Sequence, residues 1–97
     1  MDKVKLVKHP VKGRCVIAIM DFKDGELIDS NPVIDFPIAT GHKIFDQYAF
    51  EWLPGENCIA LGFISLLNYS KTPNCSVKND FDNKLKLCYA VKDIRAW

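Results

Sequence analysis

The chain has 97 residues, enough for one domain that buries about two thirds of its unfolded surface. Thirteen Lys and Arg balance twelve Asp and Glu for a net charge of +1, with the two signs interleaved. That excludes the concentrated basic face of a nucleic-acid binder, and no stretch reaches the roughly 18 uninterrupted apolar residues of a membrane helix.

Val4 to Val7, alternating with Lys3, Lys5 and Lys8, reads as a half-buried first strand. His9-Pro10 ends it, since Pro cannot donate to a ladder. Lys12-Gly13-Arg14-Cys15 is a tight connection into Val16–Met20, a strand apolar on both faces and so expected at the centre of a sheet. A glycine at position 13 lets backbone approach a ligand; it equally suits an ordinary hairpin. Asp21–Glu26 turns around Gly25, and Leu27-Ile28 returns. Ser30–Ile38 is held extended by its prolines. Ala39–Gln47 is a surface loop or a single helical turn; His42 within it stands isolated and receives no role.

Gln47–Leu53 alternates as a strand, with Tyr48, Phe50 and Trp52 on one face, and Cys58–Gly62 pairs back across the turn at Pro54–Asn57. The apolar run Ala60–Leu67 must lie in the interior of so small a domain and includes a short helical turn. Asn68 sits where the chain emerges from that interior. It either turns the chain or grips a ligand, because a buried Asn needs partners for both its donor and its acceptor. Cys75–Lys78 and Lys84–Ala90 flank Asn79–Asn83 as a hairpin. Leu85, Leu87 and Tyr89 share one face of its second strand and Lys84 and Lys86 the other, so that strand is expected to be half exposed. A two-residue turn at Phe81-Asp82 would set Asn79 against Lys84 and Cys75 against Cys88. Opposed Cβ atoms lie about 4.5–5.5 Å apart, wider than the roughly 3.8 Å of a disulfide, so packed thiols are expected there.

The four cysteines are far apart in sequence, with no Cys-x-x-Cys pair and no Cys/His cluster at zinc spacing. No metal site is expected. Together with an opening Met1-Asp-Lys-Val-Lys that carries no apolar export signal, they suggest reduced thiols in an intracellular protein, cytoplasmic or nuclear. Residues 1–97 read as a single, mainly β domain with little helix.

Leu67-Asn-Tyr-Ser-Lys-Thr-Pro-Asn-Cys75 resembles the Asn-His-Ser-x-x-Pro-Asn signature of SET domains, which are protein-lysine methyltransferases. Gly13-Arg-Cys-Val-Ile-Ala followed by Asp24-Gly-Glu-Leu-Ile is similar to the family's opening block. Tyr89-Ala-Val-Lys-Asp-Ile resembles the strand before its final Gly-Glu-Glu-Leu-x-x-x-Tyr segment. The three blocks stand in family order over nearly the whole chain, and the compact size is most similar to minimal viral and bacterial members.

The resemblance implies small curled sheets of the β-clip, pseudoknot type and S-adenosylmethionine as cofactor. It places the cofactor against Lys12, Gly13, Arg14 and Cys15 and against Asn68 and Tyr69. Ser65 and Leu67 would line the substrate channel through their carbonyls, with Tyr48 as the hydroxyl beside the reacting amine. The implied partner is a protein presenting a lysine, a histone or another, with no direct nucleic-acid or membrane partner. Cys15 stands where the family has a second glycine, Tyr69 where it has His, and Trp97 where the final segment would begin. That segment carries the family's catalytic Tyr, so activity is expected to be weak for these 97 residues. Two function classes follow: a lysine methyltransferase, or a non-catalytic SET-like or small β interaction module.

Overall fold

A computed structural model describes residues 3–40, 48–68 and 70–97. Most of the loop around His42, and Tyr69, lie outside the described residues.

Among the described residues seven strands carry the fold: β1 (Val4–His9), β2 (Gly13–Ala18), β3 (Leu27–Pro37), β4 (Ala49–Glu51), β5 (Glu56–Ala60), β6 (Cys75–Asp80) and β7 (Leu85–Ala90). Short 3-10 turns cover Ile38–Thr40 and Phe63–Leu66, and no α-helix occurs among the described residues. β1 and β2 form a two-stranded sheet, and the other five form a sheet in the order β4-β5-β3-β7-β6, with every neighbour antiparallel. The mainly β, helix-poor architecture expected from the sequence is the one observed.

β3 is the axis of the larger sheet. Its first half, Leu27–Pro32, pairs with β7, and its second half, Val33–Pro37, pairs with β5. Pro32 stands where pairing passes from one neighbour to the other, the point in a central strand at which a missing N–H disturbs the ladder least. The extended, proline-bearing segment of the sequence is thus the most central strand of the protein.

β2 is not. It pairs only with β1, and Ile19 and Met20 lie beyond its end, both exposed. Its apolar character has another cause. Val16 and Ala18 pack on the small core cluster of Val4, Phe22 and Ala90, and the last residues of the chain run along its free edge. There the Trp97 N–H donates to the Ala18 carbonyl at 3.0 Å, and Phe22 and Ile94 exchange backbone bonds of 2.7 and 2.8 Å. Burial by a neighbouring segment gives the same two-faced apolar pattern as burial within a sheet.

Two expectations for the β6–β7 hairpin are corrected. Its loop is four residues, Phe81–Lys84, so Asp80 faces Leu85, Val77 faces Cys88 and Cys75 faces Ala90. The Asp80 carboxylate sets this loop by accepting from the Asn83 backbone N–H at 3.2 Å and its side-chain amide at 2.9 Å, and Lys84 closes it at φ 53°. The register moves by two residues, so Cys75 and Cys88 still share a face.

That face is the inner one: Lys86, Cys88 and Ala90 are buried while Leu85, Leu87 and Tyr89 are half-exposed. Lys86 tolerates the interior because its ammonium lies 4.5 Å over the Phe50 ring and 5.9 Å over the Trp52 ring, and donates to Asn79 Oδ1 at 2.7 Å. Burial pushes its pKa down.

The main core joins Val33, Trp52, Cys58, Ala60, Ile64 and Cys88, and Ile28 packs against both this cluster and the smaller one.

Candidate functional site

The segment from Ala60 to Asn68 leaves the core through a chain of specific contacts. Gly62 has no room for a side chain, since a Cβ there would fall 2.5 Å from Nδ2 of the buried Asn31. Asn31 Oδ1 accepts the Ile64 N–H at 2.9 Å, and its Nδ2 donates to Asp29 Oδ2 at 2.8 Å, so both ends of this buried amide are satisfied. Ser65 Oγ donates to the Ala60 carbonyl at 2.6 Å, fastening the 3-10 turn to the end of β5. Leu67 then packs against the main core, and Asn68 emerges exposed.

The β1–β2 hairpin comes to meet it. Gly13 adopts φ 74°, a left-handed conformation that favours glycine, and no atom lies within 4 Å of where its Cβ would be. His9 Nδ1 accepts the N–H groups of Val11 and Lys12, each at 3.1 Å, so the ring braces the hairpin through an unprotonated nitrogen. Asn68 Nδ2 donates to the Arg14 carbonyl at 3.3 Å. Two motifs 54 residues apart in the chain are joined by that bond.

The candidate residues therefore divide. Lys12, Gly13, Arg14 and Asn68 come together at the hairpin, with Cys15 buried directly behind them in β2. Ser65 and Leu67 belong to the segment that delivers Asn68; the Ser65 hydroxyl is committed to the backbone. Tyr48 stands apart, 39% exposed, just before the edge strand β4. Tyr69 lies outside the described residues.

A cavity of about 80 Å³, partly open to solvent, lies between the two sheets. Val4, Ile28, Phe63, Leu67, Cys75 and Cys88 are among its lining. Of the candidate residues, Leu67 reaches it. Among the described residues no cluster of three or more potential metal ligands occurs.

Asn31 was missed from the sequence, although it holds the whole segment in place. Its signal was available in principle: an Asn within an extended stretch, with Gly62 opening an apolar run, is a pair whose missing side chain makes room for a buried amide.

No protein-family model matches the chain. It is 27% identical over 89 residues to a Schizosaccharomyces pombe protein named histone-lysine N-methyltransferase, H3 lysine-37 specific, an alignment covering 87% of this chain and 60% of that protein. The chain thus spans about 60% of the curated relative's length, under two thirds of it. Among solved structures, a Plasmodium falciparum protein described as a candidate histone methyltransferase superposes with a TM-score of 0.83 at 21% identity, over 99% of this chain and 87% of that one. KRYPTONITE, solved with methylated DNA, a histone H3 peptide and S-adenosylhomocysteine, superposes with a TM-score of 0.74 at 19% identity, over 99% of this chain and 22% of that one.

The fold is that of a SET domain. In sequence the chain is similar to a SET-domain lysine methyltransferase, and its motif blocks resemble that family's.

Proposed function

We propose that this chain is an S-adenosylmethionine-dependent protein-lysine N-methyltransferase whose cofactor lies against the β1–β2 hairpin and Asn68. The observation that carries the reading is the Asn68–Arg14 hydrogen bond at 3.3 Å, which unites the two blocks that the family uses to hold its cofactor. The residues present fit such a ligand. Gly13 leaves open space on its Cβ side, and the exposed Asn68 amide still has its carbonyl oxygen to offer.

The cofactor supplies a methyl group activated by a sulfonium. The protein has to bind and orient both reactants and exclude water. Lys12, Gly13, Arg14 and Cys15 would present backbone to the cofactor, while Asn68 and the backbone at Tyr69 would hold its amino-acid and adenine parts. The carbonyls of Ser65 and Leu67 would face the transferred methyl through weak C–H···O contacts. Tyr48, just before β4, would place its hydroxyl beside the incoming lysine amine. An apolar channel favours the neutral amine, because desolvation disfavours its charged form, and alignment supplies much of the remaining acceleration. The substrate is a protein lysine. Histones are the class suggested by the relative named for H3 and by the neighbour solved with an H3 peptide, and that substrate implies a nuclear setting.

Calorimetric titration with S-adenosylmethionine tests the reading directly. Asn68→Ala should abolish binding while leaving the melting temperature within a degree or two, since Asn68 is exposed and makes one 3.3 Å bond. S-adenosylhomocysteine at a hundredfold over its dissociation constant should add about 2.7 kcal/mol, several degrees for a domain of this size. An absent shift at millimolar ligand would favour the interaction-module reading, which the Cys15 side chain at the second glycine position supports.

A further inference from the structure

The larger sheet ends on β4 at one side and on β6 at the other. β4 is three residues long, whereas β6 runs for six, Cys75–Asp80, without proline or glycine. The pairing with β7 shows which backbone groups of β6 are already used. The Val91 N–H donates to the Asn74 carbonyl, so position 74 bonds across the ladder, and in an antiparallel pair such positions alternate. Ser76, Lys78 and Asp80 therefore bond to β7, while the N–H and C=O groups of Cys75, Val77 and Asn79 point away from it. Among the described residues no strand pairs with that edge. The free edge of β2, by contrast, is covered by the chain end at Trp97. β1 also has a bare side, but its charged residues are Lys5 and Lys8, so a second copy of it would be repelled.

We propose that β6 is a self-association edge, on which a second copy of this chain pairs antiparallel about a two-fold axis at Asn79. Charge selects both the occupant and the register. A two-fold contact uses the same patch on both copies, and residues that meet across it must face the same side of the sheet. Strands centred on Lys78 would set that lysine against itself, and strands centred on Asp80 would oppose two carboxylates. Centring on Val77 gives Lys78 only the hydroxyl of the partner subunit's Ser76. Centring on Asn79 sets Lys78 against the partner subunit's Asp80, and by symmetry Asp80 against the partner subunit's Lys78. One register thus makes two opposite-charge pairs on the outer face.

The same register lets Asn79 and the partner subunit's Asn79 exchange backbone hydrogen bonds, since both groups of that residue aim outward. On the inner face it brings Val77 to the partner subunit's Phe81, and both residues are exposed in the single chain. Lys78 is available: it is exposed, its ammonium lies 5.3 Å from the Tyr89 ring centroid, and no carboxylate pairs with it among the described residues. Asp80 accepts twice from Asn83, and a carboxylate with about four acceptor sites can take the lysine as well. The pairing joins two five-stranded sheets into one and leaves Gly13, Arg14 and Asn68 untouched.

Sedimentation velocity on the 97-residue chain, from micromolar to millimolar, should show a monomer–dimer equilibrium that weakens as salt rises, because the charge pairs are exposed. Carbodiimide coupling of mixed light and isotope-labelled chains should join Lys78 to Asp80 across the two labels, as located by peptide mass spectrometry. Lys78→Glu sets carboxylates together and should weaken the dimer by about tenfold. Val77→Pro removes an outward N–H that β7 does not use, so it should abolish the dimer while keeping the parent's far-ultraviolet dichroism. A chain that stays monomeric throughout, a cross-chain link at other residues, or a dimer indifferent to Lys78→Glu overturns the proposal. So does a dimer that survives a folded Val77→Pro; should that variant unfold, the cross-link and Lys78→Glu still decide. None of these readouts depends on cofactor binding.

Discussion

Gly62 and Asn31 form the contact on which the candidate site rests. The glycine is extended, at φ 168°, so no backbone strain selects it; the selection comes from the Asn31 amide packed against it. Gly62→Ala would drive a methyl group into that amide, a case of overpacking that costs about 1–3 kcal/mol. Chemical denaturation should record that loss with an unchanged slope. Because Asn31 Oδ1 also holds the Ile64 N–H, the same variant should weaken the proposed cofactor binding at Asn68 without touching it. Lys86 teaches a related lesson about single residues. Its charge would place it outside, yet two aromatic faces and one amide oxygen make the interior acceptable.

At the scale of elements, the β6–β7 hairpin is organised by its loop. Asp80 accepts two hydrogen bonds from Asn83, and these hold its carboxyl below the usual carboxylate value. A depressed folded-state pKa contributes stability above the unfolded value of about 3.9, and that contribution disappears as pH falls through the folded value. Asp80→Ala should therefore lower the melting temperature at neutral pH and make it less sensitive to acid below pH about 4. Thermal melts across that range compare the two slopes; parallel profiles would mean the carboxylate does not set the loop. The loop also decides the register, and with it which thiols meet. An error of two residues left Cys75 and Cys88 on one face, whereas an error of one would have sent them to opposite sides.

Over the whole molecule, the segment after β7 closes the structure by returning to the beginning. Phe22 is 2% exposed, bonds to Ile94 through both backbone groups and anchors the small core that joins the two sheets. Phe22→Ala should cost about 3–5 kcal/mol. That is a large share of the 5–15 kcal/mol that separates folded from unfolded chains. Far-ultraviolet dichroism in a urea series should place its midpoint far below that of the parent, and a small shift would mean that the two sheets are held together elsewhere. Asn68 meets Arg14 only while the two-sheet arrangement stands, so this variant should also lose the proposed cofactor affinity.

Local patterning determined much of this protein. The alternation in Val4–Lys8, the left-handed glycine at position 13, the buried run into Asn68 and the hairpin around Asp80–Asn83 are all written in neighbouring residues. The motif blocks carried the resemblance to SET domains before any contact was known. What the tertiary structure alone decided involves partners far apart in sequence. An apolar β2 reads alike whether a strand or the returning chain end covers it. The alternation in β7 marks two faces without saying which is inside; the aromatic residues of β4 and the turn after it reverse the expectation by covering Lys86. The pairing of Asn31 with Gly62, and of Asn68 with Arg14, depends on packing that no local period encodes, because a hydrogen bond across 54 residues exists only once both sheets are in place.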